Sequence, residues 1–315
     1  MKNILLTIWN KVYASTINSL PLRSSDEQTR LSWAKLIESY DYVPTIYKDF
    51  FKHSFVEKRQ FPYTILTPSY QEFIHKTTEK LVCDFGHEIY VLEKIGDTFK
   101  RKCYPLEEIS CVEIRTVLLD SYIKIIGVTR NGIPDSSKIR MNSVTTRLFT
   151  PIIERIRQGT TDFKGPAQSS ELAKFDHWIE LSLKFTNYAK NSILFGEKVI
   201  HSIFQPEIRK RFFKIMDKIF YRTLSRAVAV ILTDQELIII QDAERVFYED
   251  NSYGGIWNYI PLNKIGTLSL GKGNRDLLVL SIHLLDSVQL KYMFQASAKG
   301  ELNQLLHQFR KLTKV

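Results

Sequence analysis

The residues of this sequence that are best placed to bind a ligand are the lysines and arginines gathered between Pro206 and Arg226. Seven basic side chains in this stretch are balanced only by Glu207 and Asp217, so the stretch carries +5 of the chain's net charge of +10. Such a density of cations favours an anionic partner, which can be membrane headgroups, nucleic acid or an acidic protein. With two basic residues from a later turn, the candidate anion-binding residues are Arg209, Lys210, Arg211, Lys214, Lys218, Arg222, Lys272 and Arg275.

The predicted conformation of 206–226 is an amphipathic helix. Pro206 suits a helix N-terminus and Glu207 the first turn. At about 100° per residue, the apolar side chains fall on one half of the helix and the basic ones on the other. Two interpretations stay open: a helix packed on the protein with a solvated basic face, or an anionic surface site.

Enzymatic chemistry has little support in the sequence. Gly271–Asn274 superficially resembles a phosphate loop, but it lacks the required spacing and joins two predicted strands, so we expect a hairpin turn. His87, His177 and His283 have no partners at metal or catalytic-triad spacing. We therefore predict no enzyme, cofactor or metal, and a hydrolase with a site assembled from distant residues remains a third class.

The three cysteines are too few, and odd in number, for a disulfide framework. They indicate a reducing compartment, and we expect a cytoplasmic protein that can lie peripherally at the inner face of the membrane. No apolar run of about 18 residues predicts a transmembrane helix.

The elements around the basic stretch follow two similar series. The first series predicts seven strands and a closing amphipathic helix that carries Phe149, Ile152, Ile153 and Ile156. Its strands are Tyr63–Leu66, Leu81–Phe85, Glu88–Leu92, Phe99–Tyr104, Cys111–Val117, Tyr122–Val128 and Lys138–Met141.

The second series repeats the landmarks of the first in the same order. Its closing helix has Leu302, Leu305, Leu306 and Phe309 at the same spacing. Its predicted strands are Val199–Phe204, Ala227–Leu232, Leu237–Ile240, Thr267–Leu270, Leu277–Ile282 and Leu290–Gln295. The order indicates an internal duplication with a period of roughly 150 residues.

Helices are predicted outside the two series. Met1–Leu20 is amphipathic, and three interpretations stay open: a helix packed on its own protein, a helix in a membrane interface, or a signal peptide. Further helices are predicted from Ser24 to Tyr40 and over Ile46–Phe55. Glu171–Asn191 is apolar over most of its circumference, so we place it as one helix between the two domains.

The predicted fold class is α+β, with the chain divided into four parts. Residues 1–60 form a helical N-terminal segment and 61–158 the first domain. Residues 159–194 form the linker and inter-domain helix, and 195–315 form the second domain with its basic insertion at 206–226.

The second series resembles the bacterial pleckstrin-homology-like families. The resemblance is carried by the hairpin at 232–239 (Leu-Thr-Asp-Gln-Glu-Leu-Ile-Ile), by 260–265 (Ile-Pro-Leu-Asn-Lys-Ile) and by the final helix. In the first series 84–87 (Asp-Phe-Gly-His) replaces the Thr-Asp turn, whereas 104–109 (Tyr-Pro-Leu-Glu-Glu-Ile) keeps the second motif. Tandem domains of this type would cover 61–158 and 195–312.

The resemblance implies two tandem seven-stranded barrels or sandwiches, each closed by a C-terminal helix. It also implies a binding scaffold, since such folds host lipid, peptide and purely structural roles. Basic residues before the hairpin stand where lipid-binding members of the family keep theirs. We therefore expect docking on an anionic phospholipid surface or acidic protein, and no specific nucleic acid; the alternative is a protein–protein adaptor that binds no lipid.

Overall fold

The computed structural model describes residues 30–54, 60–72, 75–117, 120–159, 167–215, 218–243, 254–274 and 276–313. The described chain is an α+β protein of mostly antiparallel sheets with few helices, one of them C-terminal. The predicted helix at Met1–Leu20 lies outside the described residues.

The strands are β1 Lys35–Ile37, β2 Tyr63–Thr67, β3 Gln71–Glu72, β4 His75–Lys76, β5 Lys80–Asp84, β6 Glu88–Ile95, β7 Thr98–Pro105, β8 Ile109–Val117, β9 Asp120–Val128, β10 Pro134–Met141, β11 Val199–Gln205, β12 Ile208–Ile215, β13 Lys218–Ser225, β14 Val228–Thr233, β15 Glu236–Asp242, β16 Gly255–Pro261, β17 Ile265–Lys272, β18 Leu277–Leu284 and β19 Gln289–Gln295. The helices are α1 Thr45–Ser54, α2 Thr150–Gln158, α3 Ser169–Ala173, α4 Leu183–Ser192 and α5 Lys299–Thr313. Every strand predicted in the two series is present, as are both closing helices, α2 and α5.

The strands form three larger sheets and two separate ribbons. One sheet has the order β1-β2-β5-β6-β7, one β10-β9-β8-β16-β15-β14-β11 and one β17-β18-β19, while β3-β4 and β12-β13 stand as two-stranded pairs. In the first half, β2, β5, β6 and β7 are followed by β8, β9, β10 and α2. In the second half, β11, β14, β15 and β16 are followed by β17, β18, β19 and α5.

The turn between β14 and β15 is fixed by the side chain of Thr233. Its Oγ1 accepts hydrogen bonds from the backbone N–H groups of Gln235, at 3.1 Å, and Glu236, at 2.9 Å. In the corresponding turn of the first half, Asp84 Oδ1 accepts from the N–H of Gly86 at 2.7 Å. A short polar side chain thus organises both turns, which explains how Asp-Phe-Gly-His replaces Thr-Asp-Gln-Glu.

One sheet runs through both halves of the chain. β8 of the first half pairs antiparallel with β16 of the second, in a register from Gly255 opposite Thr116 to Tyr259 opposite Val112. The preceding residue, Gly254, has φ 98°, and a Cβ there would clash with the carbonyl oxygen of Thr116. Glycine is required because only it combines this left-handed conformation with so close an approach of two backbones.

The sheet of the second half is covered on both faces. Alternate residues of β14 and β15 pack towards α5 on one face and towards α3, α4 and the segment between them on the other. All of β14 is therefore buried, and so are the first five residues of β15. Burial on both faces explains why these strands read as nearly continuous apolar runs.

In the first half, α2 and α1 pack on different faces of the strands. Ile152, Ile153 and Ile156 of α2 lie in a core with strands of both first-half sheets. Tyr47 and Phe51 of α1 pack on the other side, among strands of the five-stranded sheet. The prediction of a helix over Ile46–Phe55 is confirmed by α1.

The prediction of a basic amphipathic helix at 206–226 is wrong, because the segment forms the β-hairpin β12-β13. It connects β11 to β14, which pair antiparallel, so the chain must return to its starting point. A two-stranded ribbon does this directly, and isoleucine, phenylalanine, tyrosine and threonine favour it. The basic residues accordingly do not share one helical face.

Two other helix predictions are also wrong. Glu171–Asn191 is split into α3, a short 3-10 turn and α4, because Ser182 is extended and caps α4 by accepting from the Phe185 N–H at 3.3 Å. The segment lies across the sheet of the second half, where its successive turns bury side chains on that face. The helix predicted from Ser24 to Tyr40 is wrong in its later part: the chain is helical at Arg30 and Leu31 but then forms β1, which pairs with the edge of β2, while residues 24–29 lie outside the described residues.

Candidate functional site

The β12-β13 hairpin, here called the basic ribbon (Ile208–Ser225), is the site of most of the predicted anion-binding residues. Ile208 and Ser225 are buried at its base. The base is held to the three-stranded sheet, since Ser225 Oγ donates to the Met293 carbonyl at 3.1 Å. Next to it, the Gln295 N–H donates to Gln205 Oε1 at 3.1 Å.

Basic side chains occupy both faces of the basic ribbon. Lys210 lies opposite Arg222 and Arg211 lies opposite Tyr221, so these successive pairs alternate between the faces. All four of these side chains are exposed. Among the described residues, Lys210, Arg211 and Arg222 have no acidic partner, whereas Arg209 Nε binds Glu207 at 2.6 Å.

Aromatic side chains are interleaved with these cations. Phe212 is 66% exposed, Phe213 41% and Tyr221 58%. The two phenylalanine rings meet edge to face, with centroids 5.2 Å apart. The register shifts between Arg211 and Phe213, so Phe212 is an extra residue in its strand. Exposed aromatic rings beside unpaired cations suit a surface with both charged and apolar layers.

The other predicted site residues are placed as follows. The backbones of Lys214 and Lys218 belong to the basic ribbon, and their side chains lie outside the described part of the structure. Lys272 is exposed at the end of β17, opposite Leu278. Leu277 in turn lies opposite Gln295, which binds Gln205, so Lys272 stands at the ribbon end of this sheet. Arg275 is outside the described residues.

The aromatic members of this site were missed by the sequence prediction. A helical period assigned Phe212 to a buried apolar face, whereas it is the most exposed of the three aromatic residues. The sequence does contain a signal for them, because aromatic and basic residues alternate closely between Arg209 and Arg222. With the two-residue period of a strand, this alternation predicts an exposed ribbon.

A second basic region lies in the first half, in an open cleft of ≈ 600 Å³ between β7 and the β9–β10 turn. Its lining includes Lys100, Arg101, Lys102 and Arg130. Lys102 binds Asp135 at 2.8 Å and Arg130 binds Glu88 at 3.3 Å. Two of the four cations are thus neutralised within the protein, whereas Lys210, Arg211 and Arg222 of the basic ribbon have no acidic partner among the described residues.

A buried ionic cluster joins the two halves of the chain. Arg157 of α2 donates to Glu236 at 2.5 Å and lies 3.8 Å from Glu197. Its guanidinium also lies 3.8 Å from the centroid of the Tyr259 ring. Burial, followed by the neighbouring charge of Glu236, raises the pKa of Glu197 to about 8. The cluster lies away from the exposed surface and has a structural role.

The described cysteines are poor nucleophiles and the described residues hold no metal-binding group. Cys83, Cys103 and Cys111 are free and buried. Burial raises the pKa of Cys83 to about 12 and also raises that of Cys111. Within the described ranges, no three His, Cys, Asp or Glu residues come together as metal ligands.

Comparison with known proteins finds no family model and no curated sequence that matches the chain. Among the helices of the described residues, none has both the length and the apolar composition needed to cross a bilayer.

Proposed function

We propose that this chain is a non-enzymatic binding protein of two pleckstrin-homology-like units that docks on an anionic membrane surface through the basic ribbon. The proposal places the protein at the inner face of the membrane. The observation that carries it is the combination of exposed aromatic rings and unpaired cations on one projecting ribbon.

The order of elements supports the pleckstrin-homology-like assignment. Both halves have four antiparallel strands, then three, then a helix that packs on them. In both halves a hairpin interrupts the connection between the first two of these strands, as β3-β4 in the first and β12-β13 in the second. The repeated hairpin is short in the first half and long and basic in the second, so the two copies differ most where we place the site.

Electrostatics favours a membrane as the ligand. Each Lys or Arg near an anionic bilayer contributes about 1 kcal/mol, so Lys210, Arg211 and Arg222 contribute about 3 kcal/mol together. Aromatic side chains are favourably placed at the headgroup level, where the apolar ring lies beside a polar layer. A ribbon that carries both residue types matches the layered chemistry of a bilayer surface better than the uniform charge of an acidic protein.

The test compares the full chain with a variant in which Lys210, Arg211 and Arg222 are all changed to Glu. The variant's partition coefficient on phosphatidylserine-rich vesicles, measured by co-sedimentation at low salt, is expected to be lower by at least about 100-fold, since three attractive charges become repulsive. The matched control changes Lys94, Lys100 and Arg101, which are exposed on the β6-β7 hairpin, to Glu and is expected to keep most of the binding.

Three outcomes would contradict the membrane proposal. The wild-type chain could fail to bind anionic vesicles, it could bind neutral vesicles equally well, or the two triple variants could lose binding equally. Capture of an acidic protein that is sensitive to the ribbon changes, without vesicle binding, would support the adaptor alternative instead.

A further inference from the structure

A second unusual surface lies in the segment between the 3-10 turn Asp176–Trp178 and α4. In the apolar loop, defined as Ile179–Leu183, the exposed fractions are 46% for Ile179, 62% for Leu181 and 60% for Leu183. Three large aliphatic side chains are thus exposed within five residues, with the exposed Glu180 between the first two, and grouped exposed aliphatic side chains mark interaction sites more often than isolated exposed leucines do.

The apolar loop lies at the end of the sheet from which the basic ribbon projects. The residues that flank it, Trp178 and Phe185, pack on Phe204 of β11, with ring centroids 5.7 and 4.8 Å away. Phe204 precedes the first residue of the ribbon by four positions. Next to Leu183, Lys184 binds Asp242 at 2.5 Å.

Asp242 also connects the apolar loop to β13, the other strand of the ribbon. Its carbonyl oxygen accepts a hydrogen bond from the guanidinium of Arg226 at 3.4 Å. Arg226 directly follows Ser225, the last residue of β13. Both strands of the ribbon are therefore linked to the apolar loop through short chains of contacts, so the two features lie at the same end of this sheet.

The apolar loop is anchored at both ends. Trp178 and Phe185 are each 2% exposed and anchor the segment on both sides. The Ser182 hydroxyl accepts from the Phe185 N–H, which starts α4 and fixes the direction of the chain between Leu181 and Leu183. The backbone of the loop is therefore already anchored when a partner binds, and this lowers the entropic cost of binding.

We propose that the apolar loop inserts into the interfacial layer of the same anionic bilayer that the basic ribbon approaches. This inference rests on the proposed function and adds a second, apolar contact to it. A bilayer is the occupant because it offers an anionic surface to the cations of the ribbon and, a few ångströms deeper, an apolar layer to the leucines. Two weak contacts of different kinds give stable attachment where one alone is marginal.

The two contacts respond differently to salt, which allows the inference to be tested separately. Charge attraction is screened at about 1 M salt, where the Debye length is about 3 Å, whereas insertion of apolar side chains is not weakened. The wild-type chain should therefore keep a measurable fraction of its vesicle binding at high salt. The Leu181→Ser/Leu183→Ser variant should bind at low salt with about tenfold lower partition and lose the salt-resistant fraction.

The matched control is Ile133→Ser/Leu285→Ser. Ile133 is 59% exposed and lies in the β9–β10 turn of the first half. Leu285 is 66% exposed and lies in the β18–β19 turn, away from the ribbon end of the β17-β18-β19 sheet. The control should keep the salt-resistant fraction. If it loses that fraction as fully as the loop variant does, the apolar loop has no special role.

A fluorescence measurement makes the test independent of how well the double variants fold. Because the described native cysteines are buried, a Leu181→Cys chain can be labelled selectively with an environment-sensitive fluorophore. Its emission should shift to the blue on anionic vesicles and be quenched by spin labels in the lipid chains, while the same label in an Ile133→Cys chain should not respond.

The failure of this inference differs from the failure of the proposed function. Suppose that vesicle binding depends on the basic ribbon but shows neither a salt-resistant fraction nor a shift of the label. This result would overturn only the proposed insertion of the apolar loop and not the proposed function. Absence of vesicle binding by the wild-type chain would overturn both.

Discussion

Arg157 joins the two halves of the chain through a single buried side chain. It projects from α2 of the first half and donates to Glu236 at the start of β15 and to the carbonyl oxygen of Ser192 at the end of α4. One cation is thus shared between two buried carboxylic acids, Glu236 and Glu197. Since buried negative charges must be compensated, Glu197 retains its proton at neutral pH.

This retained proton predicts a pH dependence of stability. The pKa of Glu197 is raised from 4.5 to about 8 by burial and then by Glu236, so between these values the folded chain binds a proton that the unfolded chain does not. The stabilising contribution is complete below the unfolded pKa and is lost as the pH rises through the folded pKa. The free energy of unfolding should therefore fall between pH 5 and 8, with a slope of up to about 1.4 kcal/mol per pH unit.

Glu197→Gln should flatten this part of the stability profile, because glutamine keeps the shape of the protonated acid without titrating. Urea unfolding at several pH values measures the effect. Glu154→Gln, at an exposed position of α2, is the control and should keep the wild-type slope. Equal slopes for wild type and Glu197→Gln would show that the proton resides elsewhere.

At the scale of the elements, the strand pair β8-β16 depends on Gly254. Gly254→Ala should lower the free energy of unfolding by about 2 kcal/mol or more, because alanine is strained at φ 98° and its methyl group would clash with Thr116 of β8. Thermal and chemical unfolding provide the measurement.

Gly271→Ala is the matched control for that change. Gly271 lies in β17 without a positive φ, and a Cβ there has open space around it. Its replacement should change stability by less than about 1 kcal/mol. A similar loss of stability in both variants would argue against a special role of the β8-β16 junction.

The elements show what the sequence could and could not predict. Strands such as β14 and β15 were predictable because their apolar runs and polar turns are local signals. The pairing of β8 with β16 was not, since it joins strand edges far apart in sequence and leaves no local pattern. The basic ribbon was predicted as a helix because its apolar residues also fit a helical period. It forms a hairpin because β11 and β14 pair with each other, so the segment between them must begin and end at the same place.

The candidate site was predictable in its charges and not in its shape. Arg209, Lys210, Arg211 and Arg222 do lie together, since they are close in sequence in any regular structure. Their distribution over two faces and their mixture with exposed aromatic rings depend on the strand period. The apolar loop was hidden for a related reason: Leu181 and Leu183 look like core residues, and only the interruption at Ser182 exposes them.

At the scale of the whole molecule, the continuous sheet predicts that the two halves unfold together. Cys111 and Ile126 of the first half lie in the core of the second, and Ser110 of β8 is hydrogen-bonded to Asp286 in the β18–β19 turn. Neither half can open without exposing apolar surface of the other. Hydrogen exchange should therefore give β6 and β14 closely similar opening free energies under denaturant, and well-separated transitions would contradict this coupling.

The same sheet fixes how the molecule would stand on a membrane. Neighbouring strands of a sheet are rotated by about 20 to 25°, so the four steps from β14 to β9 accumulate roughly 80 to 100°. If the second half meets the bilayer with the ends of its strands, β9 runs nearly parallel to the membrane plane, and β8 and β10 run within roughly 35° of it. The two halves, alike in their order of strands, then point in different directions, and in the proposed membrane-bound state a molecule anchored by one presents the other sideways.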